Sequence, residues 1–209
     1  MISLSKEEKI YYKKMLSNTS KLGVKSISLN AKKCINGSKL AKIKGSVCFK
    51  CYALRGCYQF PIVQDAMQRR LDFFNSPNFI PIMVWLLSSL RKNFFRWFDS
   101  GDVQSVIMAL NILEVCKLTP SIKHWIPSKE FKIWREALKI QKLPNNVCLR
   151  MSSPNIDQEP LKEFNNTSTV HENKKAFGLE CIAYKQDGKC LDCKACFNKK
   201  VKNVSYPKH

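Results

Sequence analysis

At 209 residues the chain can form one substantial domain, or one domain with a small appendage, and 44% hydrophobic with 11% aromatic residues is ordinary for a packed globular protein. Thirty-six Lys and Arg against 16 Asp and Glu give a net charge of +20, an electrostatic footprint suited to nucleic acid or another polyanion, though a solvated lysine-rich surface would carry the same charge. The longest apolar run, FIPIMVWLLSSL at 79–90, is too short for a membrane span and contains Pro81, so no membrane partner is expected.

The N-terminal stretch MISLSKEEKIYYKK has no apolar segment of signal-peptide type. The expectation is a cytoplasmic protein, in the host cytoplasm if it is viral. Residues 5–17 predict a short helix capped by Ser5. From 18 to 59 there is little periodicity, and Cys34, Cys48, Cys51 and Cys57 fall within this irregular segment. Long loops of this kind are functional or pinned by something.

Helices are predicted over 61–75 and 79–92. A rhythm then follows: strand 93–102, helix 102–118 with Asp102 as its cap, strand 123–130, helix 128–141 capped by Ser128, strand 146–153, and a further strand at 168–172. This is the βα repeat of a parallel sheet. With four or so strands it predicts a partial βα barrel or an open, mostly parallel sheet, in a single α/β domain over 1–209. The segment 176–209 is cysteine- and lysine-rich and packs back on the sheet, with VKNVSYPKH as a last strand or tail.

Ten cysteines in a chain of cytosolic type argue for metal or cluster ligands rather than disulfides. Cys181, Cys190, Cys193 and Cys196 follow the spacing C-x8-C-x2-C-x2-C. Three thiols in one tight run favour a [4Fe–4S] cluster, whereas structural zinc prefers two separated C-x2-C knuckles and remains the alternative. Cys34, Cys48 and Cys51 form a looser hook. Three thiolates on a four-iron cluster would leave one position open. The two regions hold either one cluster between them or two. Cys116 and Cys148 lie inside a predicted helix and strand, where cysteine packs as a small apolar residue.

The carboxyl ends of parallel strands form the ligand-binding edge. Arg96 and Asp99 stand at the end of the first predicted strand, Glu130 after the second, and Arg150 on the third. These four are the candidate catalytic or substrate-orienting residues. His171 and His209 have no spacing that recruits them to the thiols.

The stretches KLAKIKGSVCFKCYA (39–53), FFRWFDSGDVQS (94–105), HWIPSKEFK (124–132) and CIAYKQDGKCLDCKACF (181–197) resemble, in this order, a phage family called gene product 88. The resemblance runs from about residue 17 onward. It implies as its cysteine set Cys34, Cys48, Cys51, Cys181, Cys190, Cys193 and Cys196, with Cys57 outside. The layout also resembles a shortened radical-SAM arrangement, with a thiol hook ending in Cys-Tyr-Ala ahead of βα repeats, and this implies SAM as a cofactor. Here thirteen residues separate Cys34 from Cys48, in place of that family's usual three. Two functions follow as expectations. One is a cluster-dependent, radical-SAM-like enzyme. The other is a basic nucleic-acid-binding module with a structural iron–sulfur or zinc site.

Overall fold

Helix α1 (Lys6–Lys13) opens the chain in the computed structural model, which describes residues 2–208. Ser5 and Glu8 cap it reciprocally, Ser5 Oγ accepting from Glu8 N and Glu8 Oε2 from Ser5 N. Strands β1 (Ser17–Asn18) and β2 (Lys25–Ile27) and helix α2 (Ile35–Leu40) follow. The segment 18–59 is thus only partly irregular: β2 is a sheet strand, too short to carry a periodic signal. Helix α3 (Pro61–Phe74) has proline in its first turn, where the missing N–H costs nothing, and α4 (Phe79–Ser88) comes next.

The rest alternates: β3 (Phe94–Trp97), α5 (Val106–Leu118), β4 (Lys123–Ser128), α6 (Phe131–Ile140), β5 (Val147–Ile156), β6 (Thr167–His171), β7 (Leu179–Glu180) and β8 (Asn203–Pro207). The eight strands form one sheet in the order β1-β2-β3-β4-β5-β6-β8-β7. Every pairing is parallel except β1 with β2. The sheet is open and not closed into a barrel, with twice the strand number that the periodicity suggested. Of the further strands, β8 falls in the stretch 201–209 expected as a last strand or tail, while β1, β2 and β7 are two or three residues long, too short for a period-two pattern to register.

Helices α3 to α6 cover one face. Phe95, Trp97, Ile126, Val147, Leu149 and Met151 point into that layer against Phe74, Phe79, Leu86, Ile112 and Trp134, all under 6% exposed. Burial of each such side chain contributes about 1.5–3 kcal/mol. His124 also points this way, accepting from Trp97 Nε1 at 3.3 Å and meeting Thr119 Oγ1 at 3.0 Å. Burial drives its pKa down to about 3, so it is a neutral core residue.

The opposite face carries Phe94, Arg96, Trp125, Arg150 and Ser152, the alternate positions of the same strands. It is covered in part by the cysteine segment, whose Phe197 packs edge-on against Phe94 and Trp125. Cys116 and Cys148 are buried, at 0% and 1% exposure.

Asp102 does not cap α5. Ser105 does, accepting from Met108 N at 3.1 Å. Asp102 is drawn away by stronger donors: Ser128 Oγ and Lys129 N at 2.7 Å each, and Val103 N at 2.8 Å. Just before Asp102 stands Gly101 with φ of 74°, where an added Cβ would come within 2.6 Å of the Leu29 carbonyl oxygen. Only glycine lets the exit of β3 pass so close to the chain leaving β2.

Candidate metal centre

The carboxyl ends of β3, β4 and β5 each hold one part of the N-terminal thiol hook. After β4, the Glu130 carboxylate accepts from Ile35 N at 2.8 Å and Asn36 N at 2.9 Å, so it caps the turn that begins at Cys34. Asn36 Nδ2 adds a bond to the Lys129 carbonyl at 2.7 Å. At the end of β5, Val47 N donates to Pro154 O at 2.9 Å, and Ser46 bridges to Asn155, which fixes the residue before Cys48. After β3, the Tyr52 hydroxyl donates to the Asp99 carbonyl and ties down the residue after Cys51. Asp99 also accepts from Ser26 Oγ at 2.9 Å.

The sulfurs of Cys34 and Cys48 meet over Gly37. An ideal Cβ there would lie 3.5 Å from Cys34 Sγ, 3.9 Å from Cys48 Sγ and only 2.9 Å from Cys34 Cβ. The missing side chain is what lets the two thiols share that space.

The C-terminal thiols are held from the other side. Cys181 N donates to Ser205 O and Cys190 N to Lys21 O, both at 2.8 Å. Arg150 is 0% exposed and donates to six carbonyls, those of Thr167, Ala195, Cys196, Asn198, Val201 and Lys202, at 2.8–3.3 Å. This sequence-predicted site residue therefore lies beneath the cysteine loop and organises its backbone. Cys196 Sγ lies 3.2 Å from the Tyr206 hydroxyl.

Both sets face one cavity of about 440 Å³ on the face of the sheet opposite α3 to α6. Cys34, Cys48 and Cys51 line one part, Cys181, Cys190 and Cys196 another, and Arg96, Asp99 and Asp102 lie on its wall. Lys21, Lys129, Tyr52, Tyr206, Ser152, Ser168 and Thr169 add to the polar lining. Cys193 is exposed and lies outside the cavity lining. Cys57 is exposed and faces a separate hollow beside Arg70. Glu130 and Arg150 act from behind the wall. The sequence marks Tyr52 only as the aromatic that follows the hook, and carries no pattern that points to Tyr206 or Gly37.

Phe98, beside Asp99, has φ of 52°, a left-handed conformation unusual for a bulky residue. It breaks the alternation of β3 and turns Asp99 toward the cavity wall.

The thiol environment disfavours free thiolates. Burial pushes the Cys34 thiol up, with the Asp102 and Glu130 carboxylates adding to the effect. Burial also raises Cys48, and it lifts Cys196 to about 11 against the pull of the Tyr206 hydroxyl. Asp102 itself is raised to about 7 by burial, opposed by the Lys129 N–H and the Ser128 hydroxyl. Coordination to a metal cation deprotonates a thiol outright and reverses this penalty.

Among the described residues no three His, Cys, Asp or Glu side chains converge as a cage for a single ion. A tetrahedral zinc, with Zn–S of about 2.3 Å, needs its sulfurs only ~3.8 Å apart. A cubane gives each thiolate its own iron and spaces them more widely. The thiol donors are soft, with no imidazole among the cavity residues, and suit zinc as well as iron–sulfur chemistry.

No helix among the described residues is long and apolar enough to cross a membrane. A family model described as Gene product 88 matches residues 4–203, and the chain belongs to that family of phage gene products. No curated protein and no solved structure matches the chain.

Proposed function

For this member of the gene product 88 family, we propose an iron–sulfur enzyme that binds two [4Fe–4S] clusters and acts on a small molecule in the cavity both thiol sets share. Cys34, Cys48 and Cys51 hold one cluster, and Cys181, Cys190, Cys193 and Cys196 the other. The observation that carries the reading is the lining of one cavity, at the carboxyl edge of a parallel sheet, by thiols 130 or more positions apart. Its volume falls in the range of small-molecule sites.

A cluster on the three-thiol hook would supply one-electron chemistry and an iron with a free position, for which SAM is the co-substrate expected of a radical-SAM-like enzyme. The protein's own part is positioning. Glu130, behind the hook, fixes the turn that carries Cys34. Asp102, tied to Ser128 and Lys129, fixes Glu130 in turn. Tyr52 and Asp99 lock the Cys51 end, and Arg96 and Asp99 face the substrate space. Trp125 and Phe98 in the wall exclude water.

The test is anaerobic purification, a visible spectrum, and iron, sulfide and zinc analysis. About eight irons and eight sulfides per chain are expected, and a Cys34→Ser/Cys48→Ser/Cys51→Ser variant should keep about half. With reductant and SAM, wild type should release 5′-deoxyadenosine and that variant none. A colourless protein with stoichiometric zinc and no sulfide sinks the cluster reading.

The second reading is a nucleic-acid-binding module with a structural iron–sulfur or zinc site. It draws on the surface: of 36 Lys and Arg, only Lys117, Arg135, Lys139 and Lys208 pair with carboxylates among the described residues.

A further inference from the structure

Arg96 emerges on the cavity face of β3 with its guanidinium 4.7 Å from the Trp125 ring centroid. The stacking fixes the plane of the guanidinium and leaves its edge to face outward. Arg96 Nε is buried without a hydrogen-bond partner, and none of the ion pairs among the described residues includes this side chain. A buried N–H with no acceptor is costly to maintain. Its charge bears on the phenols of both Tyr52 and Tyr206, which line the same cavity. Ser152 Oγ and Ser168 Oγ, which line the same cavity, are 2.8 Å apart. One hydroxyl donates to the other, and the second proton is left for a ligand.

We propose that Arg96 and the Ser152–Ser168 pair form an oxyanion subsite, so that the small molecule bound in the cavity carries a carboxylate or phosphate group. This deepens the reading above and rests on it for the cavity as substrate chamber. Anion binding by Arg96 does not itself require iron. The guanidinium presents parallel N–H groups that match either oxyanion, and the cavity walls supply Lys21 and Lys129 as further positive charge.

The experiment is calorimetric titration of the anaerobically purified full chain with inorganic phosphate and, separately, with succinate. Salt is held near 150 mM so that the lysine surface is screened beyond about 8 Å. Saturable one-to-one binding of at least one probe is expected. Arg96→Gln should weaken it about 10-fold or more, Ser152→Ala several-fold, and Arg96→Lys by an intermediate factor. Lys139→Gln, on an exposed residue of α6, should leave it unchanged. Should Arg96→Gln fail to fold, Arg96→Lys and Ser152→Ala decide the question. No saturable binding up to about 10 mM, binding indifferent to Arg96 and Ser152, or an equal loss in Lys139→Gln overturns the proposal. Iron and sulfide assays on the same samples keep the two readings separate. An iron-free wild type that still shows Arg96-dependent binding retires the clusters and keeps the subsite. A fully loaded protein without such binding does the reverse.

Discussion

Arg150 has the periodicity of a strand-end site residue and the environment of an architectural one. Its guanidinium reaches six backbone carbonyls, four of them within the loop 195–201 and a fifth at Lys202. A loop with no regular ladder leaves its carbonyls unpaired, and a fixed fork of five N–H donors is the one side chain that can collect so many. Lysine keeps the charge but offers three donors from a single point. Arg150→Lys is therefore expected to cost about 3 kcal/mol in urea unfolding, the scale of a disrupted buried charge network. Amide hydrogen exchange should accelerate in 195–202 before it does in β5. Equal acceleration in both, or none in the loop, would show that the arginine supports the core generally and not the cysteine segment.

Among the elements, α2 is where local propensity and site construction conflict. Gly37 sits inside a six-residue helix, where Ala would ordinarily be favoured by about 0.5–1 kcal/mol. Here the added Cβ would come 2.9 Å from Cys34 Cβ, with backbone anchored on the Glu130 carboxylate and little freedom to retreat. Gly37→Ala is thus expected to destabilise by about 1–2 kcal/mol. It should also lower the iron held by the hook while leaving that of the C-terminal set. Comparison of iron content in Gly37→Ala with that of the triple Cys→Ser variant checks this, and an unchanged or raised melting temperature with full iron counts against it. The sequence exposed α3, α5, β4 and β5, because each is long enough for its period to repeat. It concealed α2 and β2. The first is six residues held mainly by a carboxylate more than 90 positions away, and the second is a three-residue strand that exists because β3 pairs with it. It also mislocated the cap of α5. Asp102 and Ser105 are both good capping residues, and only the approach of Ser128 and Lys129 across the sheet decides between them.

At the scale of the whole molecule, each thiol group was visible as a local cluster, but their common cavity was not. It arises from the strand order, which sets β8 beside β6 and swings the segment 181–202 over the face opposite α3 to α6, toward Lys21. The charge has the opposite character: the net +20 is plain from composition, while its distribution needs the fold. Four of the 36 basic side chains pair with carboxylates among the described residues, and none of those pairs lies in the cavity, so most of the charge repels itself across the surface. Unpaired surface lysines would bind the phosphates of a nucleic acid with release of counterions. The observed association constant then falls linearly in a log–log plot against salt, with a slope of about −0.9 per phosphate neutralised on duplex DNA. A cavity ligand and a surface polyanion call on different residues, so the two functions can be separated in one series. Fluorescence anisotropy with duplex and single-stranded oligonucleotides, from about 50 to 300 mM KCl, should show such a slope for wild type and the same slope for Arg96→Gln. Salt-insensitive or undetectable binding removes nucleic acid as a partner. A slope that changes with Arg96 would instead draw the polyanion into the cavity mouth and bring the two readings back to one site.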